Sequence, residues 1–448
     1  MIRLRTVFWG ATALVAALWF MSAQPLPLPT TYFGWRGPSV QFTGVLAMAA
    51  MSVAMVLAIR PRWLERPLDG LDKLYRLHKW LGIGGLVAAL AHWIWAQGTK
   101  WAVGWGWLMR PERGPRVQPE GLEGVLRGVR GLAETIGEWA FYAAAALIVM
   151  ALVKAVPYHI FSRLHRWFGA FYLALVFHSV VLLDFKNWMT PIGALMAILM
   201  AAGSYAALVS LTGRIGLKRR VGASLSEVRV FPEMGVVAGL VSVNGDWPGH
   251  RSGQFAFVTS IPEEGAHPYT IASAWNPRTR TIRFVTKALG DHTERLPETL
   301  QVGKPVTIEG PYGCFTFEDA HPAQIWVGAG IGVTPFIARM EELADEIEAG
   351  RAPTQRVTMF HPAGAAEPAA LDLLRRDAAR AGVALHILAG KGAGRLDGPR
   401  VRAEVPDWRE ASLWFCGPSA FGEALRADFA AQGMDVRRRF HQELFAMR

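Results

Sequence analysis

Two membrane-length apolar segments, each holding a pair of histidines, constrain this chain more than any other feature. The first runs from Arg76 and His78 to His92, the second from Arg163 and His165 to His178. An ionisable side chain inside a bilayer is costly and marks a functional position by default. Imidazole suits iron, and haem iron takes axial histidines. Two histidines on each of two helices supply four axial ligands, enough for two six-coordinate haems.

The spacing sets the geometry. His78 and His92 are 14 residues apart, and His165 and His178 are 13 apart. Either step covers roughly 20 Å along a helix. That distance puts one haem in each half of a hydrocarbon core about 30 Å thick. At about 100° per residue the 14-residue step returns to within roughly 40° of its starting face, and the 13-residue step misses by roughly 140°. The second helix therefore requires a local overwinding, for instance near Gly169, or a different approach angle.

Four further apolar segments make six spans: 3–23, 39–59, the two histidine segments, 137–156 and 191–211. The first is long enough to remain as an uncleaved span, although Ser22-Ala23-Gln24 follows it as a cleavage site would. Pro25, Pro27 and Pro29 break the chain after it. The net charge is +11, with Lys and Arg gathered at the ends of apolar segments. A basic chain suggests nucleic acid, but the positive-inside rule explains this placement better. The rule puts 60–76, Arg163, Arg166 and the Arg214–Arg220 cluster in the cytoplasm. Both termini are then cytoplasmic, and the third and fifth spans run parallel. His78 pairs with His165 on the inner side and His92 with His178 on the outer side. Arg76, Lys79, Arg163 and Arg166 lie where inner-haem propionates need cations. His159 reads as a non-ligand near the membrane edge, and 97–134 reads as a long loop carrying interfacial Trp101, Trp105 and Trp107. Only two cysteines occur, Cys314 and Cys416, without C-x-x-C, which excludes a cysteine-ligated iron–sulfur cluster.

Beyond Arg220 short β-branched runs alternate with turns at 236–243, 254–259, 281–286 and 305–309, the pattern of a small β-barrel. From Gln324 strands (324–327, 356–360, 385–389, 412–415) alternate with helices (334–349, 369–381), the pattern of an α/β domain. Three stretches of the barrel region offer cofactor chemistry: His267-Pro-Tyr269-Thr270, Lys287-Ala-Leu-Gly290-Asp-His292-Thr293 and Gly310-Pro-Tyr312-Gly313. An aromatic followed by a hydroxyl can lie against a flat ring and bond its edge. A lysine with a Gly-Asp-His-Thr turn offers cations and donors to a diphosphate.

In this order the motifs resemble the ferredoxin–NADP reductase family, and the first is similar to the His-Pro-Phe-Ser/Thr form of NADPH oxidases and ferric reductases. The resemblance implies FAD, with Tyr269 and Thr270 at the isoalloxazine and Lys287, Gly290, His292 and Thr293 at the diphosphate. Gly328-Ala-Gly330-Ile-Gly332-Val-Thr334-Pro335 resembles the same family's nicotinamide-nucleotide turn, where a phosphate sits at a helix start. Cys416-Gly417-Pro418 resembles its Cys-Gly-Pro motif beside the nicotinamide, and Glu443-Leu-Phe445 its closing aromatic, which stacks on the flavin. Lys391 and Arg395 match basic residues that select NADPH over NADH. With the paired histidines at 14 and 13, nearly the whole chain resembles the NADPH oxidase and ferric reductase superfamily, in which Phe171 matches an aromatic residue between the haems.

The expectation is a multi-domain membrane protein: a six-helix transmembrane bis-haem domain (1–215), a FAD-binding β-barrel (216–320) and an NAD(P)-binding α/β domain (321–448). It implies an NAD(P)H-dependent flavohaem oxidoreductase of the cell inner (plasma) membrane. Electrons pass through FAD and two b-type haems to a ferric or cupric chelate, to oxygen or to a periplasmic redox protein. The alternative is a haem-containing module serving a partner protein or quinone. Membrane lipid is the surrounding partner, and nucleic acid is not expected. The family's oxygen-reducing members place an Arg in span two and a His one turn after the outer ligand. Here 39–59 holds no Arg and Ala96 follows His92 by four, which argues against superoxide production.

Overall fold

The computed structural model describes residues 2–23, 31–109, 120–153, 156, 158–364, 367–390 and 394–443. Lys391, Phe445, the Pro25–Pro29 break and the His159 side chain lie outside the described residues. The chain divides into two compact units, 1–68 with 73–215 and 69–72 with 216–447.

The first unit is a helical bundle. Its elements are α1 (Ile2–Ser22), α2 (Tyr32–Ala58), α3 (Leu71–Trp93), α4 (Gly121–Gly128), α5 (Arg130–Leu152), α6 (Tyr158–His165), α7 (Phe168–Leu182) and α8 (Pro191–Leu211). Among the described residues, six segments are long and apolar enough to cross a membrane: 4–22, 32–58, 71–104, 130–152, 163–182 and 191–211. Small residues let the helices approach closely, as is usual in lipid. A Cβ on Gly203 would stand 2.1 Å from the Tyr172 hydroxyl. That hydroxyl is held 2.8 Å from Ser52 Oγ in a fully buried pair joining α7 to α2. Met48, Met51, Met55, Met196 and Met200 fill the surrounding core.

Four boundaries differ from the sequence reading, the fourth span running over Arg130–Leu152 instead of 137–156. The second span starts at Tyr32, capped by the Thr31 hydroxyl, and carries Pro38 within it. It therefore contains Arg36, which corrects the expectation of an arginine-free span. The third span continues past His92 through a π-helical turn, Ile94–Gly98, to Gly104, so the following loop begins later and holds α4. The second histidine segment is broken between α6 and α7 at Arg166–Trp167. There Trp167, Gly169 and Ala170 donate to the carbonyls of Leu164, Arg166 and Trp167, three residues back. Such a turn winds about 120° per residue. Four residues so wound gain roughly 80° and remove most of the 13-residue phase error. The overwinding is thus located, two residues before Gly169.

The second unit holds two sheets. β1 (Arg220–Phe231), β2 (Val236–Val243), β3 (Phe255–Thr259), β4 (His267–Thr270), β5 (Thr281–Lys287) and β6 (Pro305–Tyr312) form an antiparallel sheet ordered β4-β3-β6-β1-β2-β5. Its two edges meet in the Ile271–Phe284 bridge and the 2.8 Å bond from Ala272 N to Arg283 O, closing a barrel. β7 (Ala323–Gly328), β8 (Arg356–Ala363), β9 (Ala384–Ala389), β10 (Ala411–Cys416) and β11 (Phe440–Glu443) form a parallel sheet ordered β11-β10-β7-β8-β9. The helices α9 (Thr334–Glu348), α10 (Pro368–Arg380), α11 (Gly398–Glu404) and α12 (Ser419–Ala431) connect its strands. The strand order reverses beside β7, between β8 and β10, and such a switch point opens a crevice at the strands' carboxyl ends.

Candidate functional site

The four histidines meet in two pairs. His78 and His165 have ring centroids 6.1 Å apart, and His92 and His178 are 6.2 Å apart. Two rings bound to one metal at about 2 Å per nitrogen stand about 6 Å apart. The backbone orients three of the rings. Nδ1 of His78 lies 2.9 Å from Ala54 O, that of His92 2.9 Å from Val40 O, and that of His178 2.8 Å from Ala133 O. An Nδ1–H donated to a carbonyl leaves Nε2 with its lone pair for a metal. His165 is held differently: its Nδ1 makes no hydrogen bond among the described residues, and Phe161 and Phe168 stack on it with centroids at 5.1 and 5.9 Å.

Glycines seat the His92–His178 pair. A Cβ on Gly137 would stand 2.0 Å from His178 Nδ1, and one on Gly44 would stand 3.0 Å from His92 Nδ1. On α3 the positions between the two histidines on their face, Gly82, Gly85 and Ala89, are small. A cavity of about 230 Å³ opens beside His92 and His178, lined also by Arg36, Gln41, Lys100 and Glu138. Arg36 donates to Ala96 O at 3.3 Å, while its buried Nε has no partner among the described residues. Phe171 is half-buried against the helical core, between the two pairs in sequence.

On the barrel, β4 brings His267, Tyr269 and Thr270 into one strand and the turn after β5 brings up His292. The Tyr269 hydroxyl donates to His292 Nε2 at 2.7 Å, and His292 Nδ1 donates to the Glu264 carboxylate. His267 stacks on His292 with centroids 3.6 Å apart and planes 6° apart. Burial, with His292 beside it, pushes the His267 pKa down to about 4. The hydrogen bond from His292 holds Glu264 below the usual carboxylate range. Burial raises the Tyr269 phenol. Thr293 Oγ1 accepts from Leu289 N at 2.9 Å and donates to Gly290 O at 3.0 Å, closing the turn. Lys287 is exposed at the end of β5.

At the carboxyl ends of β7 and β10 the nucleotide-like turns meet. Ala329 N donates to Cys416 O at 2.9 Å. A Cβ on Gly332 would strike that same carbonyl at 2.2 Å, and one on Gly417 would reach the Ala329 Cβ at 2.7 Å. Gly330 is left-handed with φ 57°, and Gly328 O accepts from buried His361 Nδ1 at 2.7 Å. Thr334 is buried and donates to Ile331 O at 3.2 Å. Pro418 caps α12. The Cys416 thiol faces the core with no exposure, and burial raises its pKa well above the usual value. Arg395 is exposed. The sequence reading missed Gly44, Gly137, Arg36, Glu264 and His361, whose roles arise from contacts between distant segments.

Residues 43–176 match a family described as ferric reductase like transmembrane component. An NADPH oxidoreductase of Mycobacterium tuberculosis is 30% identical over 191 residues, covering 41% of this chain and 47% of that protein. Ferric reduction oxidase 5 of Arabidopsis thaliana is 39% identical over 93 residues, covering 20% of this chain and 13% of that protein. NADPH oxidase 1 of Rattus norvegicus is 36% identical over 99 residues, covering 20% and 17%. The chain thus spans about half the length of the bacterial relative and less of the other two. Six apolar helices, an antiparallel barrel and a parallel α/β sheet follow one another along the described residues. The chain carries a ferric reductase-like transmembrane component over 43–176 and is similar, over parts of its length, to an NADPH oxidoreductase, a ferric reduction oxidase and an NADPH oxidase.

Proposed function

We propose that the chain carries electrons from cytoplasmic NAD(P)H through FAD and two b-type haems to an acceptor beyond the membrane. The observation that carries this reading is the meeting of four histidines in two facing pairs at 6.1 and 6.2 Å. A bound flavin takes two electrons as hydride and releases them singly, as haem iron requires. In this reading His78 and His165 hold the inner haem and His92 and His178 the outer one. The carbonyls of Ala54, Val40 and Ala133 fix three ligand rings, and Gly137 and Gly44 make room for two of them. Phe171 fills space between the two sites.

The barrel presents Tyr269 and Thr270 to the flavin ring, with His292 as an N–H donor and Lys287 as a cation for the diphosphate. Gly328, Gly330, Gly332 and Thr334 shape the nicotinamide-nucleotide crevice, closed by the backbone of Cys416, Gly417 and Pro418. The bis-haem, FAD and NAD(P) domains occupy 1–215, 216–320 and 321–448. The protein lies in the cell inner (plasma) membrane, with both termini and the reductase module in the cytoplasm. Arg36, with an unbonded Nε in the outer cavity, supplies a cation to a haem propionate, an anionic metal chelate or a reduced oxygen species. Its presence in span two removes one of the two sequence arguments against oxygen, while Ala96 leaves the other in place.

The test is NADPH-driven turnover of the purified protein with ferric citrate, a cupric chelate and oxygen offered separately. The reading expects the haem bands to reoxidise on adding at least one of them. Electrons that stop at the flavin with every acceptor would contradict it. Exposed Arg395 offers a cation to the 2′-phosphate, and a modest NADPH preference is expected, reduced several-fold in kcat/KM by Arg395→Ala. Equal use of NADH by the unmodified protein would contradict that assignment.

A further inference from the structure

The barrel holds a carboxylate where the proposed diphosphate needs cations. Glu264 Oε2 accepts from His292 Nδ1, and Glu264 Oε1 accepts from Arg295 Nη1 at 2.5 Å. One carboxylate thus bridges two nitrogen donors, the His292 imidazole and the Arg295 guanidinium, as the oxygens of a phosphate group do. The Glu264 side chain is 17% exposed and that of His292 11%, so this contact is more sheltered than an ordinary surface pair. Beside it, Gly265 adopts φ 83°, and a Cβ there would meet nothing within 4 Å. The loop therefore has both a left-handed hinge and room to swing.

We propose that Glu264 is the resident anion of the diphosphate site. It engages His292 and Arg295 and must release them for the FAD diphosphate to bind there. The proposal rests on reading His292 as a diphosphate contact. Its consequence is that Glu264 lowers FAD affinity twice, by competing for the donors and by like-charge repulsion of the bound diphosphate. It stabilises the empty site by the same contacts.

A metal ion is the competing occupant, because Glu264, His267 and His292 bring ligand atoms within 4.8 Å of one another. The ring geometry disfavours it. An imidazole lone pair lies in the plane of its ring, and the rings of His267 and His292 are stacked with planes 6° apart and centroids 3.6 Å apart. Lone pairs in two such planes do not converge on one ion, and His292 Nδ1 and Nε2 are already engaged by Glu264 and Tyr269.

The experiment is FAD titration of the deflavinated full-length protein, followed by flavin fluorescence, with thermal unfolding in parallel. Glu264→Gln should tighten FAD by roughly tenfold, the effect of removing about one nearby charge. It should lower the unfolding midpoint of the flavin-free protein and raise that of the loaded one. Arg295→Ala, alone or in the Glu264→Gln background, should loosen FAD. Unchanged or weaker FAD binding by a folded Glu264→Gln protein would overturn the proposal. So would one equivalent of Zn²⁺ displacing FAD from the unmodified protein but not from His267→Ala. Failure of every protein to bind FAD would instead remove the flavin reading on which the proposal stands.

Discussion

At the scale of single residues, the His92–His178 pair depends on the absence of side chains. The 2.0 Å gap between a Gly137 Cβ and His178 Nδ1 leaves no room for a methyl group. Gly137→Ala must therefore displace the imidazole from Ala133 O and from its partner. The expected result is loss of one haem of two, read as the pyridine-haemochrome ratio to protein, with FAD content unchanged. A protein that keeps both haems would show that His178 is not seated as described. The histidines were legible in the sequence because four ionisable groups in apolar segments are too costly to keep without a ligand to bind. Gly137, Gly44 and the three carbonyls were not, since nothing in a linear spacing says which backbone faces which ring. Cys416 gives the opposite case: its motif was legible, but only the fold reveals that the thiol turns into the core.

At the scale of elements, the two histidine helices solve one phase problem differently. α3 keeps regular α-helical geometry over its 14-residue step, while the 13-residue step is broken at Arg166–Trp167 by bonds three residues long. Periodicity located the conflict near Gly169 but could not choose the remedy, because helix winding depends on the packing around it. The second span reads as starting at 39, but the helix begins at Tyr32 and carries Pro38 within it, which a membrane helix tolerates where neighbours re-satisfy the backbone. Arg36 therefore falls inside the span. Strand β1 was missed because its burial alternates only in its first half. β1 is central, between β6 and β2, and Arg220 at its start pairs with buried Glu309 at 3.0 Å. A fragment beginning at Gly216 should fold, bind FAD and reduce a soluble dye with NADPH. One beginning at Val221 loses that arginine and should be less stable by about 2 kcal/mol, the cost of breaking a buried pair discounted for the partly exposed Arg220. Denaturant midpoints of the two fragments check this. Equal midpoints would show that Arg220 contributes nothing, and a folded Gly216 fragment that binds no FAD would refute a self-sufficient flavin site.

At the scale of the whole molecule, the proposed path assigns an order to the carriers. In the proposed topology His78 and His165 lie toward the cytoplasm and His92 and His178 toward the far face. The most direct test follows the flavin and haem bands together after anaerobic addition of NADPH, in the full chain and in two variants. The unmodified protein should bleach its flavin and then reduce both haems. His178→Ala should lose one haem, keep flavin reduction and still reduce the haem that remains, while delivery to an external acceptor falls steeply. His165→Ala should keep flavin reduction and leave any remaining haem oxidised. Loss of all haem reduction in His178→Ala, together with normal reduction of the remaining haem in His165→Ala, would contradict the order.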